Sequence, residues 1–239
     1  MRGGGVASGM ARHGMDLPAR PSHVIFDMDG VLLDTEVIYT EVTDEIVRRF
    51  GKRYDWSVKS QMIGRPSIDS ARFLVETLEL PISPEAYLEE RERFFETRMP
   101  RAAAKEGAVD LVAALHAKGV PMAVATSSKR DMFDLKTRRH REWFALFDRV
   151  IVGDDPRLER GKPAPDIFLL AASELEADPT SCLVFEDAPS GVDAARAAGM
   201  MVVGIPDPGM DAGLLARAHH ITTSLSKIPV DAIGRPAVE

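Results

Sequence analysis

Short apolar runs that stop abruptly at acidic or hydroxyl residues dominate this sequence. The first constrains the chain most: His23-Val24-Ile25-Phe26, followed by Asp27-Met28-Asp29-Gly30-Val31-Leu32-Leu33-Asp34-Thr35. Such a run reads as a buried strand that delivers both carboxylates to its carboxyl end. Side-chain alternation puts Asp27 and Asp29 on one side at first, and Gly30 lets the backbone bend and re-aim the second acid. Two like charges so close demand a cation, a proton or both. A plain polar strand exit is the alternative, because such residues also make turns. A calcium-binding helix-loop-helix is excluded. Its loop needs a Glu at the twelfth position, which counted from Asp27 is Ile38, and a strand-like run precedes it instead of a helix.

After this strand, Asp34 and Thr35 read as capping residues for a helix from Glu36 to Phe50, with Ile38, Val42, Ile46 and Phe50 forming one apolar stripe. Two more helical segments follow, about Ser67 to Leu80 and Pro84 to Met99, punctuated by Leu80-Pro81-Ile82-Ser83-Pro84. A block of helices this long exceeds an ordinary crossover and is expected to be an inserted helical cap. From Gly107 onward helices alternate with apolar runs at Pro121–Ala125, Arg149–Val152, Cys182–Phe185 and Met201–Ile205, with further helices at Ala108–Lys118 and Asp166–Leu175. That alternation predicts an α/β fold, a doubly wound parallel sheet with a Rossmann-like core. The expected division is a disordered leader over 1–21, a core formed by 22–34 and 107–239, and the cap over 35–106.

Of the 239 residues 45% are hydrophobic, enough for a sizeable core, and the net charge of −7 gives no general attraction to nucleic acid or to an anionic membrane. No stretch approaches the roughly 20 apolar residues that span a bilayer. A cytoplasmic monomer or weak dimer is expected, although the Gly-, Ala- and Arg-rich leader also suits an organelle transit peptide. The lone cysteine, Cys182, sits inside an apolar run and reads as a small core residue.

In a parallel sheet ligands bind outside the carboxyl ends of the strands. Asp27, Asp29, Thr126, Asp154, Asp155, Glu186, Asp187 and Asp207 all fall where a strand would end. Acids without accompanying His or Cys make an oxygen-ligand site suited to magnesium, with Asp27 and Asp187 as first choices. Thr126 and Lys162 are the groups expected around phosphoryl oxygens. One carboxylate can then attack phosphorus while a second carboxyl protonates the departing oxygen. Taken singly, Thr126-Ser127-Ser128 and Glu186-Asp187 could be helix caps and Lys162-Pro163 a solvated loop. Their ordered occurrence at strand ends favours the functional reading.

Together, Asp27-Met28-Asp29-Gly30-Val31-Leu32, strand-terminal Thr126, Lys162-Pro163-Ala164-Pro165-Asp166 and Glu186-Asp187-Ala188-Pro189-Ser190-Gly191 resemble the four motifs of the haloacid dehalogenase superfamily. Phe133-Asp134-Leu135-Lys136-Thr137, Arg139-His140 and Val152-Gly153-Asp154-Asp155-Pro156 are similar to the branch holding pseudouridine 5'-phosphate and plant-type glycerol-3-phosphate phosphatases. The resemblance implies Asp27 as nucleophile and magnesium ligand. It implies Asp29 as general acid and base that also binds magnesium through its main-chain carbonyl. Thr126 and Lys162 would hold phosphate, and Asp187, assisted by Glu186, would complete the metal site. A magnesium-dependent phosphatase of a small phosphorylated metabolite follows, with pseudouridine 5'-phosphate the first expectation. Glycerol 3-phosphate, a sugar-phosphate mutase and a silent phosphate-binding protein are the alternatives. One departure is Lys105-Glu106-Gly107, where that branch tends to carry Pro-Gly at the return from the cap. Arg65, in the turn Gly64-Arg65-Pro66, is a candidate specificity residue, and an exposed charged turn is its alternative. The basic run Lys136 to Arg141 is expected to form a solvated helical face, and His219 and His220 carry no assigned role.

Overall fold

The apolar runs form strands that pair side by side in one direction. The structure, a computed structural model, describes residues 15–62 and 67–234. Strands β1 (His23–Phe26), β2 (Met122–Ala125), β3 (Arg149–Ile151), β4 (Cys182–Glu186), β5 (Met201–Gly204) and β6 (His220–Ile221) form a parallel sheet in the order β3-β2-β1-β4-β5-β6. From β1 the chain winds out to β2 and β3 on one side, then returns to β4 and winds out on the other. The strand order therefore reverses between β1 and β4, where the carboxyl ends open a crevice.

Both faces are covered, as continuous apolar strands require. Val24, Phe26, Val124, Leu183 and Phe185 face the layer containing helix α5 (Ala108–Ala117), while Ile25, Ala125, Val184 and Val202 face helices α8 (Asp166–Glu174) and α9 (Pro189–Ala197). Phe26 stacks on Phe185 at 5.0 Å and meets Phe147 edge-on at 5.8 Å, locking β1 against β4. Helices α6 (Arg130–Lys136) and α7 (Arg141–Phe144) lie between β2 and β3. Strand β6 escaped the sequence reading because a two-residue edge strand carries no apolar pattern. Cys182 is wholly buried in β4.

The insertion after β1 is helical: α1 (Thr35–Arg48), α2 (Trp56–Met62), α3 (Ser67–Thr77) and α4 (Pro84–Arg98). Ile38, Val42 and Ile46 are buried as the stripe predicts, whereas Phe50 falls beyond the end of α1. Ser83 caps α4 by accepting the Ala86 N–H at 3.1 Å, beside Pro84 at the first helical position. Asp34 occupies the N-cap position of α1 without a side-chain capping bond, and the Thr35 hydroxyl turns to Asp29. No described helix is long and apolar enough to cross a membrane. Of the expected leader, residues 1–14 lie outside the described residues; Met15 and Leu17 pack on the core, and Arg20 bonds the Gly234 carbonyl at 2.6 Å.

The two connections between sheet and helical layer run together. The Asp34 N–H bonds the Ala103 carbonyl at 2.8 Å, and the Lys105 N–H bonds the Leu32 carbonyl at 2.9 Å. At the end of the return, Gly107 has φ +78°, and a Cβ there would lie 2.2 Å from the Ser226 nitrogen. Gly107→Ala combines backbone strain with a backbone clash, so we expect a loss of about 1–3 kcal/mol in urea unfolding. An unchanged midpoint would show that the Leu225–Ser226 segment simply moves aside.

Candidate active site

The sheet register hands its acids to one edge. Beyond β1, the Asp27 N–H continues the ladder to the Phe185 carbonyl at 3.0 Å, and β4 ends on Glu186, whose own carbonyl accepts from Ile205 at 2.8 Å. Asp27 is 6% exposed and Glu186 1%. Between them sits Lys162, from the loop joining β3 to α8, with Nζ 2.5 Å from Asp27 Oδ1, 2.6 Å from Glu186 Oε1 and 3.3 Å from the Ala125 carbonyl. Glu186 Oε2 accepts the Asp187 and Ala188 N–H groups at 2.9 and 3.0 Å, which shapes the turn into α9. That turn carries Asp187 over Gly30, where a Cβ would lie 1.8 Å from Asp187 Oδ2. Only glycine leaves room for this carboxylate, and its φ of +78° also re-aims the chain after Asp29.

Burial pushes the Asp27 carboxyl up to about 7 from an ordinary 3.8; Lys162 opposes this, while Glu186 and Asp29 reinforce it. Burial, with Glu186 and Asp27 adding repulsion, holds Asp187 well above the usual carboxylate range. Lys162 alone thus leaves Asp27, Glu186 and Asp187 short of positive charge, and the donors are all oxygens. That is the environment of a hard divalent cation such as magnesium. Among the described residues no three His, Cys, Asp or Glu side chains form a ready-made cage. Magnesium suits such a site, because it keeps waters and takes oxygens from substrate phosphate.

Asp29 faces a different set of groups. Its Oδ1 accepts from Lys136 Nζ at 2.6 Å and from the Thr35 hydroxyl at 2.8 Å, and its Oδ2 accepts from the Ser128 hydroxyl at 2.8 Å. Burial alone would raise its carboxyl, yet the Lys136 charge and these hydrogen bonds hold it below the usual range. Lys136 is 0% exposed, so the expected solvated helical face is corrected here. The segment is no continuous helix. α6 ends at Lys136, which lies one turn after buried Phe133 and shares its inward face. Arg138, Arg139 and Arg141 are exposed, while His140 Nε2 lies 2.8 Å from the Ala102 carbonyl.

Thr126, fully buried, directly follows β2, and its hydroxyl oxygen accepts the Ser128 N–H at 3.1 Å. Three further acids depart from the expected convergence. Asp154 accepts the Arg130 N–H at 2.9 Å at the start of α6, and Asp155 pairs with Arg157 at 2.8 Å. Asp207 lies instead on a hollow of about 290 Å³ between the helical layer and the core, with Glu36, Tyr39, Lys59, Tyr87 and Arg91. Lys59 reaches Glu36 at 3.2 Å and Asp207 at 3.8 Å across that hollow. Arg65 lies outside the described residues. Sequence reasoning missed Ser128, Tyr39 and Lys136 as part of the site. Their signals were the hydroxyl cluster after β2, the branch-like run Phe133 to Thr137 and the spacing of Lys136 from Phe133.

A family model described as haloacid dehalogenase-like hydrolase matches residues 21–199. An Arabidopsis thaliana protein named (DL)-glycerol-3-phosphatase 2 is 47% identical, the match covering 91% of this chain and 93% of that protein. A Drosophila melanogaster protein named "Probable pseudouridine-5'-phosphatase" is 44% identical over 90% of this chain and 95% of that one. Among solved structures, a HAD family hydrolase from Deinococcus radiodurans with bound phosphate and sodium superimposes with a TM-score of 0.74 at 29% identity, covering 87% of this chain and 93% of that one.

The raised Asp27 carboxyl sets a pH dependence. Because its folded value of about 7 exceeds the ordinary 3.8, its contribution to stability is complete below that lower value and is lost as pH rises to about 7. Asp187 acts in the same sense. In chelator, urea unfolding is expected to show stability falling over this window, and Asp27→Asn is expected to flatten the fall. An unchanged slope in that variant would assign the titration elsewhere.

Proposed function

This chain belongs to the haloacid dehalogenase-like hydrolase family, and from that premise we propose a magnesium-dependent phosphatase that cleaves a small phosphorylated metabolite through an aspartyl-phosphate. The observation that carries this reading is Asp27 at the sheet edge, bonded to Lys162 at 2.5 Å and short of positive charge beside Asp187 and Glu186. Asp27 attacks phosphorus, and the bond from phosphorus to the ester oxygen breaks. Thr126 and Lys162 grip the phosphoryl oxygens, with Lys162 exchanging part of its carboxylate contacts for phosphate. Asp27, Asp187 and the Asp29 carbonyl, with Glu186 in support, would hold magnesium, which would supply charge stabilisation to the phosphoryl group.

Asp29 moves the proton. It gives one to the leaving oxygen in the first half-reaction and takes one from water as that water hydrolyses the phosphorylated Asp27. The donors around Asp29 favour its ionised form, which suits the second half. In the first half it exchanges one of those donors for the ester oxygen.

The hollow bordered by Ala188 and Asp207 takes the leaving alcohol. Its walls mix Glu36 and Asp207 with Lys59, Arg91 and tyrosine hydroxyls, a lining matched to a hydroxyl-rich group. Glycerol 3-phosphate and pseudouridine 5'-phosphate both belong to that class. A cytoplasmic protein acting alone or as a weak dimer fits this reading.

Phosphate release from glycerol 3-phosphate, pseudouridine 5'-phosphate, flavin mononucleotide and glucose phosphates, with and without magnesium, tests the proposal. A magnesium-dependent preference for one ester is expected. Exchange of phosphate between positions of glucose phosphate without net release would establish a mutase instead. Asp27→Asn should abolish turnover with the fold intact, and substantial residual hydrolysis would sink the covalent route. Asp29→Asn should cost roughly 100-fold or more in rate, and near-normal kinetics would remove its assigned role.

A further inference from the structure

Lys136 is the wholly buried lysine that the assigned chemistry does not use. A methionine of similar length would fill this position on the inward face of α6 without the cost of removing an ammonium from water. What the ammonium adds is therefore its contacts. Its three hydrogens have three acceptors: Asp29 Oδ1 at 2.6 Å, the Ser128 hydroxyl at 2.8 Å and the Tyr39 hydroxyl at 3.0 Å. Because the Ser128 oxygen accepts from Lys136, its proton is directed to Asp29 Oδ2. Lys136 thus pins both oxygens of the Asp29 carboxylate, one directly and one through a hydroxyl.

The third contact leaves the core. Tyr39 belongs to α1, borders the hollow, and meets Phe95 of α4 edge-on at 4.8 Å. The same ammonium that orients Asp29 therefore also reads the seating of the helical layer.

We propose that Lys136 is a positioning residue for the proton-carrying carboxylate: with Ser128 and Tyr39 it fixes the direction of Asp29 and ties that direction to the placement of α1 over the site. This rests on the reading of Asp29 as proton carrier. It also makes a specific demand, because an alkoxide needs a proton to leave whereas p-nitrophenolate does not.

The test is the first half-reaction alone, followed in single-turnover experiments as alcohol release from the alkyl phosphate hydrolysed fastest in the panel above and as the p-nitrophenolate burst from p-nitrophenyl phosphate. Lys136→Met is expected to slow the alkyl ester roughly 10- to 100-fold and to leave the aryl burst almost unchanged, with Lys136→Gln intermediate. In an Asp29→Asn background, Lys136→Met should cost nothing more, since the two residues act as one unit. If Asp29→Asn itself treats the two esters alike, the reading of Asp29 as proton carrier falls. If Asp29→Asn separates the esters while Lys136→Met slows both equally, speeds the alkyl ester or changes neither, the positioning role is overturned. Should Lys136→Met fail to fold, the same comparison on Lys136→Gln decides.

Discussion

Carboxylates outnumber ammonium groups at the carboxyl edge of the sheet, and their pairing with Lys162 and Lys136 organises the site. Lys162 lies between Asp27 and Glu186, which end adjacent strands, and so neutralises charge that the sheet register itself forces together. Removing one member of such a buried pair typically costs about 3–5 kcal/mol, because its partner is left charged and dry. Lys136 holds Asp29 on the other flank, directly and through the Ser128 hydroxyl. Two acids separated by one residue thereby acquire opposite electrostatic surroundings. Asp27 and Asp187 are left short of positive charge, and Asp29 is stabilised as an anion.

Such a partition matches two different tasks for two like residues. A carboxylate short of positive charge gains from a divalent cation and from transfer of phosphorus. A carboxylate surrounded by movable hydroxyls and a lysine can exchange one donor for a substrate oxygen. The backbone turn at Gly30 separates them, and Asp187 occupies the space that any side chain at that glycine would take.

How far the sequence was legible follows from which signals are local. Continuous apolar runs announce parallel strands, so the sheet, its two-sided cover and the convergence of Asp27, Thr126, Lys162, Glu186 and Asp187 could be read directly. What escaped depends on three-dimensional partnership. A lysine in a run of basic residues looks solvated until the register of α6 turns it inward beside Phe133. Asp154 and Asp155 stand at a strand end like the others, yet a backbone N–H of α6 and the Arg157 side chain claim them first. Thr35 resembles a helix cap, but Asp29 competes for its hydroxyl and wins. Strand β6 is too short to have a pattern at all.

The paired connections between sheet and helical layer carry a mechanical consequence. Outgoing and returning segments are cross-bonded through Asp34 to Ala103 and Lys105 to Leu32, with Lys105 Nζ also 3.4 Å from Asp34 Oδ1. A body held by a single linker can twist, swing and slide. One held by two segments laced edge to edge behaves as a door leaf, with a single soft rotation and little freedom to wander sideways. Such lacing limits sideways slip of the wall bearing Glu36 and Tyr39 and so keeps Tyr39 in register with Lys136.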